Sequence, residues 1–150
     1  KRTYQCTHPN KIMEEIKKRH SRKVISHWQN PQNFQELKDP DGKARLQGSC
    51  GDTMEMFLKI KDDVIQQCTF QTDGCGTTIA CGSVATGLAQ NKSFTQALGS
   101  VSADEILKKL EGLPEEDVHC AQLAAETLRR ALADYLYQKR APWKKRYRNT

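Results

Sequence analysis

The chain has 150 residues, 37% of them hydrophobic and 28% charged, with 24 Lys and Arg against 18 Asp and Glu for a formal net charge of +6. That content suits one domain with a modest core, and no apolar run approaches the roughly 18 residues that a membrane-spanning helix needs. No charged-then-apolar signal segment opens the sequence, so the six cysteines are expected to be reduced thiols of a soluble, cytoplasmic protein rather than disulfides of a secreted one. The positive charge gathers toward the two ends. It describes tails more than a core, and nucleic acid is not expected as the partner.

Residues 1–20 read as a polar N-terminal extension. Ile12, Met13 and Ile16 make only a thin apolar stripe among Glu14, Glu15, Lys17, Lys18 and Arg19, and Cys6 and His8 read as incidental. From Ser21, a candidate N-cap, Val24, Ile25 and Trp28 recur at helical spacing until Asn30-Pro31 ends the run. Residues 33–42 read as loop, closing on Asp39-Pro40-Asp41-Gly42.

The period then changes. Residues 43–47 suggest a strand with Ala44 and Leu46 inward. Met54, Met56, Leu58 and Ile60 alternate with Glu55, Phe57, Lys59 and Lys61, the pattern of a half-buried strand. Asp62-Asp63 makes a tight turn into a third strand, with Val64, Gln66, Cys68 and Phe70 expected on one face and Ile65, Gln67, Thr69 and Gln71 on the other. This hairpin delivers Cys50 before one strand and Cys75 after the next, at the same end.

After Gly76 the chain turns helical. Ile79, Val84 and Leu88 among small residues predict a tightly packed helix, interrupted near Gly87. Ser93 is placed to cap a short helix through Leu98, and Ser102-Ala103-Asp104-Glu105 has capping-box spacing before Ile106, Leu107 and Leu110. Gly112-Leu113-Pro114 stops that helix. Asp117 or His119 opens a long last one, with Leu123 or Ala124, Leu128, Ala131, Leu132 and Tyr135 on its apolar face. Residues 139–150 form a basic C-terminal tail with Lys139, Arg140, Lys144, Lys145, Arg146 and Arg148.

Three cysteines stand apart from the rest. Cys75 lies between Gly74 and Gly76 where a helix begins, Cys120 falls in the first turn of the last helix, and Cys50 lies in Gly48-Ser49-Cys50-Gly51-Asp52. A helix N-terminus favours thiolate, and flanking glycines let backbone approach a bound ion closely. Three thiolates with Asp52 or His119 make a four-ligand set of the soft kind that zinc and iron-sulfur clusters favour. No Cys-x-x-Cys knuckle occurs, and ligands drawn singly from three segment ends make an open site, suited to cargo that comes and goes. Cys68 and Cys81 read as packing thiols, and His20 and His27 as solvated or capping histidines.

These stretches resemble the IscU family of iron-sulfur cluster scaffolds, including the N-terminal domain of NifU. The resemblance rests on residues 23–33, on Gly48 to Met54, on Phe70 to Cys75 with Ile79, Ala80 and Ser83, and on Leu113-Pro114, His119-Cys120 and Ala133-Asp134-Tyr135. It covers residues 21–138 and implies an α+β domain, a small antiparallel three-stranded sheet packed against several helices. It further implies that Cys50, Cys75 and Cys120 hold a 2Fe-2S cluster, or a 4Fe-4S one, with Asp52 or His119 as the fourth ligand. Asp52 would keep the cluster labile, since a carboxylate is a harder and weaker partner for cluster iron. Cys120 would accept persulfide from a cysteine desulfurase, which requires an accessible thiolate. An iron donor, apo-acceptor proteins and a second copy of the chain complete the implied partners.

Where many relatives carry Leu-Pro-Pro-Val-Lys, this chain has Leu113-Pro114-Glu115-Glu116-Asp117, which argues against the specialised chaperone that reads that motif. Its acids also oppose ionisation of Cys120. The long insertion of the zinc-containing SufU branch is absent between Cys75 and Cys120. The expectation is an assembly scaffold and not an enzyme. The competing readings are a zinc-bound persulfide acceptor using the same residues, and a regulatory or nucleic-acid-interacting module using the basic tail.

Overall fold

The computed structural model describes residues 20–140. Most of the polar extension, with Cys6 and His8, and the tail beyond Arg140, with Trp143, lie outside the described residues.

Helix α1 (Arg22–Gln29) begins as expected: Ser21 accepts the Val24 amide, and its hydroxyl donates to the Leu110 carbonyl, tying the helix start to a distant turn. A sheet follows in the order β1-β2-β3, all antiparallel, from β1 (Gly42–Gln47), β2 (Thr53–Lys61) and β3 (Val64–Thr72). The β2–β3 turn is Asp62-Asp63, both at positive φ (55° and 62°), the backbone a two-residue hairpin needs to match strand twist. Along the core-facing side, Leu46 pairs with Met54, Ala44 with Met56, Met56 with Phe70 and Leu58 with Cys68.

The expected facing of β3 holds only for its second half. Ile60 pairs with Ile65 but Lys59 with Gln67, so Gln66 is the extra residue of a bulge. Because side chains alternate with period two, one added residue inverts the facing before it. Ile65 therefore turns into the core with Cys68 and Phe70 while Gln66 is exposed. On the opposite face Phe57 and Thr69 pair with each other and are also buried. The chain before β1 starts beside β3, where the Phe70 amide donates to Asn33, and ends beside β2, where the Asp41 amide donates to Leu58.

Helix α2 (Gly76–Ala89) runs unbroken past Gly87, contrary to the expected interruption. A single glycine lowers helix propensity by about 1 kcal/mol, which packing along the rest of the helix overrides. The small residues set how closely α2 can approach: at Gly82 a Cβ would stand 2.5 Å from the Phe70 ring, and at Gly76 it would stand 1.6 Å from the Trp28 indole. Short helices α3 (Phe94–Ser100) and α4 (Ala103–Lys109) open on Ser93 and Ser102, and Ser93 forms a full capping box with Gln96.

A 3-10 turn (Glu115–Asp117) leads directly into α5 (Val118–Arg140), which takes in Lys139 and Arg140. Tyr135 and Lys139 on α5 both donate to the Asp63 carboxylate in the hairpin turn, at 2.6 and 2.8 Å. Helix α5 lies across β1 where Gly42 leaves room; a Cβ there would meet the Ala131 carbonyl at 2.6 Å. One sheet face is thus covered by α2 and α5, with α1 packed on α2. No described helix is long and apolar enough to cross a membrane.

Candidate functional site

The three single cysteines come together at the end of the sheet away from the Asp62-Asp63 turn. Cys75 is the N-cap residue of α2; its side chain makes no capping bond, and its carbonyl accepts the Ile79 amide at 3.0 Å. The thiol is exposed beside first-turn amides that carry the positive end of the helix dipole. Cys50 is also exposed, on a turn closed by the Gly48 amide donating to the Asp52 carbonyl at 2.8 Å and the Gly51 amide donating to Gly48 at 3.0 Å. Gly51 has φ +95°, where a side chain would be strained.

Thr78 stands at the centre. It is fully buried one turn into α2, and its hydroxyl donates to Asp52 Oδ2 at 2.9 Å. The same oxygen lies 3.4 Å from Cys120 Sγ and 3.9 Å from Cys75 Sγ. A hydroxyl has one proton and two lone pairs. With the proton given to Asp52, the thiols are the donors to Thr78. Gly74 makes the arrangement possible: a Cβ there would come within 2.6 Å of Asp52 Oδ2 and 2.8 Å of Thr78 Cβ.

Cys120 lies in the first turn of α5 as expected, but it is not accessible. It is 2% exposed, and burial pushes its thiol up to about 12, with nearby negative charge, Asp117 included, adding to the shift. The helix N-terminus does not override desolvation here, because removing a thiolate from water costs more than a terminal dipole returns. His119 Nε2 is 3.7 Å from Cys120 Sγ. Cys68 and Cys81 are buried, and desolvation raises both thiols, as fits packing groups.

The residues expected at the site are therefore adjacent, yet they do not form a ready-made cage. Among the described residues, no three His, Cys, Asp or Glu side chains stand where they could hold one metal ion. The donor types fit a soft metal or an iron-sulfur cluster.

Two groups were missed by sequence reasoning. Thr78 reads as one more small residue of a packed helix; the available signal was its position three residues after Cys75, on the same helix face. His20 is not solvated: its side chain is 7% exposed, with Nε2 at 3.4 Å from both Asp117 Oδ2 and Thr77 Oγ1, and its ring meets Trp28 edge-on. His27 Nδ1 lies 2.7 Å from Ser83 Oγ, a structural tie between α1 and α2.

A three-stranded sheet backed on one face by helices, with cysteines from three separate segments at one end, defines a thiol-bearing α+β domain. Among the solved structures that share this fold are the following two. The N-terminal NifU-like protein of Brucella abortus superposes with TM-score 0.63 at 18% identity, covering 78% of this chain and 94% of its own. An iron-sulfur cluster assembly scaffold assigned to the SUF system of Fervidobacterium islandicum gives TM-score 0.67 at 18% identity, covering 75% and 96%. In sequence, the chain is 42% identical over 117 residues to iron-sulfur cluster assembly scaffold protein IscU 1 of Archaeoglobus fulgidus, covering 77% of this chain and 76% of that one. It is 35% identical over 127 residues to the IscU scaffold protein of Escherichia coli, covering 81% and 98%. The profile of the NifU-like N-terminal domain matches residues 19–142. The chain belongs to that family.

Proposed function

We propose that this protein is an iron-sulfur cluster assembly scaffold. It receives sulfur from a cysteine desulfurase and ferrous iron from a donor, takes the electrons that reduce persulfide sulfur to sulfide from that iron and from an external reductant, assembles a labile 2Fe-2S cluster as cargo, and passes it to apo-proteins. Cys50, Cys75 and Cys120 are its cluster ligands, with Asp52 or His119 as the fourth. The observation that carries this reading is the convergence of Cys75, Cys120 and Asp52 on one buried hydroxyl, with Cys50 exposed on the turn two residues before Asp52.

The distribution of exposure supports a transfer role. Cys50 and Cys75 are exposed, where a docking protein can reach them. Cys120 is covered, so persulfide transfer to it follows its release from Thr78 rather than preceding it. Asp52 contributes a harder donor than thiolate, which favours handover of the cluster over its retention. The five described cysteines are free, the state that a reducing cytoplasm maintains.

The test is reconstitution without oxygen, using a desulfurase, cysteine, ferrous iron and a thiol reductant. Visible charge-transfer bands with equal iron and acid-labile sulfide are expected, replaced by the spectrum of holo-ferredoxin when an apo-ferredoxin is added, with iron and sulfide leaving this chain. A colourless protein that keeps one tight zinc throughout would overturn the reading.

A further inference from the structure

The Thr78 hydroxyl does more than fill space. It is buried, and it touches an oxygen donor and two sulfur donors of the site at once: Asp52 at 2.9 Å, Cys120 at 3.4 Å and Cys75 at 3.9 Å. In this arrangement Asp52 and Cys120 each have Thr78 as a partner, and among the described residues no three His, Cys, Asp or Glu side chains meet around a common point. A valine would fill the same volume without either bond. Threonine here is a polar choice in a helix whose neighbours Ile79, Ala80 and Cys81 are all buried.

We infer that Thr78 is a positioning residue, a latch that holds Asp52 and Cys120 away from the cargo position and closes again when cargo leaves. This rests on the assembly reading above and adds a device to it. Loading must break the Thr78 bonds to both side chains. Release is favoured because the same bonds re-form, so one hydroxyl weakens cargo binding and promotes handover. Gly74 supports the latch, since its missing side chain lets Asp52 lie against Thr78.

The latch predicts a gain of affinity when it is removed. A hydrogen bond to a charged carboxylate plus a weaker one from a thiol contributes enough that Thr78→Val should bind metal about tenfold more tightly. Thr78→Ser, which keeps the hydroxyl, should behave as the native protein does. The probe is Co2+ titrated without oxygen into the metal-free full chain and read by thiolate-to-cobalt absorption; handover of a reconstituted cluster to apo-ferredoxin is followed in parallel. Tighter Co2+ binding and slower handover in Thr78→Val, with recovery in Thr78→Ser, are expected. Binding in Thr78→Val equal to or weaker than native would overturn the latch while leaving the assembly reading intact. A native chain that binds no Co2+, or binds it equally after Cys75→Ala, would defeat the site itself and the latch with it. Should Thr78→Val not fold, Thr78→Ala removes the same hydroxyl without adding bulk and is held to the same criterion.

Discussion

Replacing Gly76 and Gly87 by alanine in the same helix should have opposite effects on stability. Both lie in α2, where alanine is favoured over glycine by about 1 kcal/mol. At Gly87 an added Cβ meets nothing nearer than Gln32 Oε1 at 4.0 Å, so Gly87→Ala should stabilise the protein by about 0.5–1 kcal/mol. At Gly76 the Cβ would sit 1.6 Å from Trp28 Cε2 and 1.8 Å from Cδ2. Ordinary carbon contacts begin near 3.5 Å, so the indole, and α1 with it, must retreat by about 2 Å. Overpacking on this scale costs about 1–3 kcal/mol or more, which exceeds the helix gain. Urea unfolding followed by far-ultraviolet circular dichroism measures both differences on one scale. Gly76→Ala as stable as the native protein, or Gly87→Ala as damaging as Gly76→Ala, would refute the claim that α1 packs on a glycine at the start of α2.

The remaining expectations concern the thiols and the carboxylate. In metal-free protein, iodoacetamide should modify the exposed Cys50 and Cys75 well before Cys120, Cys68 or Cys81; peptide mass mapping that finds Cys120 modified as fast as Cys75 would contradict its burial. Thermal stability of the metal-free protein should fall with alkalinity. The Cys120 thiol is raised from 9.0 to about 12, so the folded state keeps a proton that the unfolded state loses. Stability is whole below about pH 9 and declines as pH rises toward 12, by about 1.4 kcal/mol per pH unit for each such thiol. A melting temperature unchanged between pH 8 and 10 would show that the thiol is solvated. Asp52→Ala should slow transfer of a reconstituted cluster to an apo-acceptor, and transfer at the native rate would remove Asp52 from the release step.

Much of the architecture is written in local pattern. Alternation from Met54 to Ile60, the Asp62-Asp63 turn, the serines at 21, 93 and 102, and the small-residue run after Gly76 each specify an element through neighbours a few residues away, which is the range over which period and capping act. That same locality explains the misread half of β3. Whether Gln66 is paired or bulged depends on the partner strand, and a single chain segment carries no record of its partner's register. The interruption expected at Gly87 fails for a related reason, since helix propensity is weak against the packing of α2 on the sheet.

The site divides in the same way. Which side chains are candidates for chemistry was legible in Cys50, Asp52, Cys75, His119 and Cys120, because their types and their positions at segment ends are properties of the sequence. Their state was not. Exposure is decided by what folds over a residue from elsewhere, so the helix-start position of Cys120 pointed to an ionised, accessible thiol while the fold buries it against Thr78. Thr78 itself acquires meaning only when Asp52, 26 residues before it, and Cys120, 42 residues after it, are brought to its hydroxyl. The sequence by itself determined the candidate donors and the elements that carry them; the tertiary structure decided which of these side chains face solvent and which are covered, because burial and hydrogen bonding arise between segments.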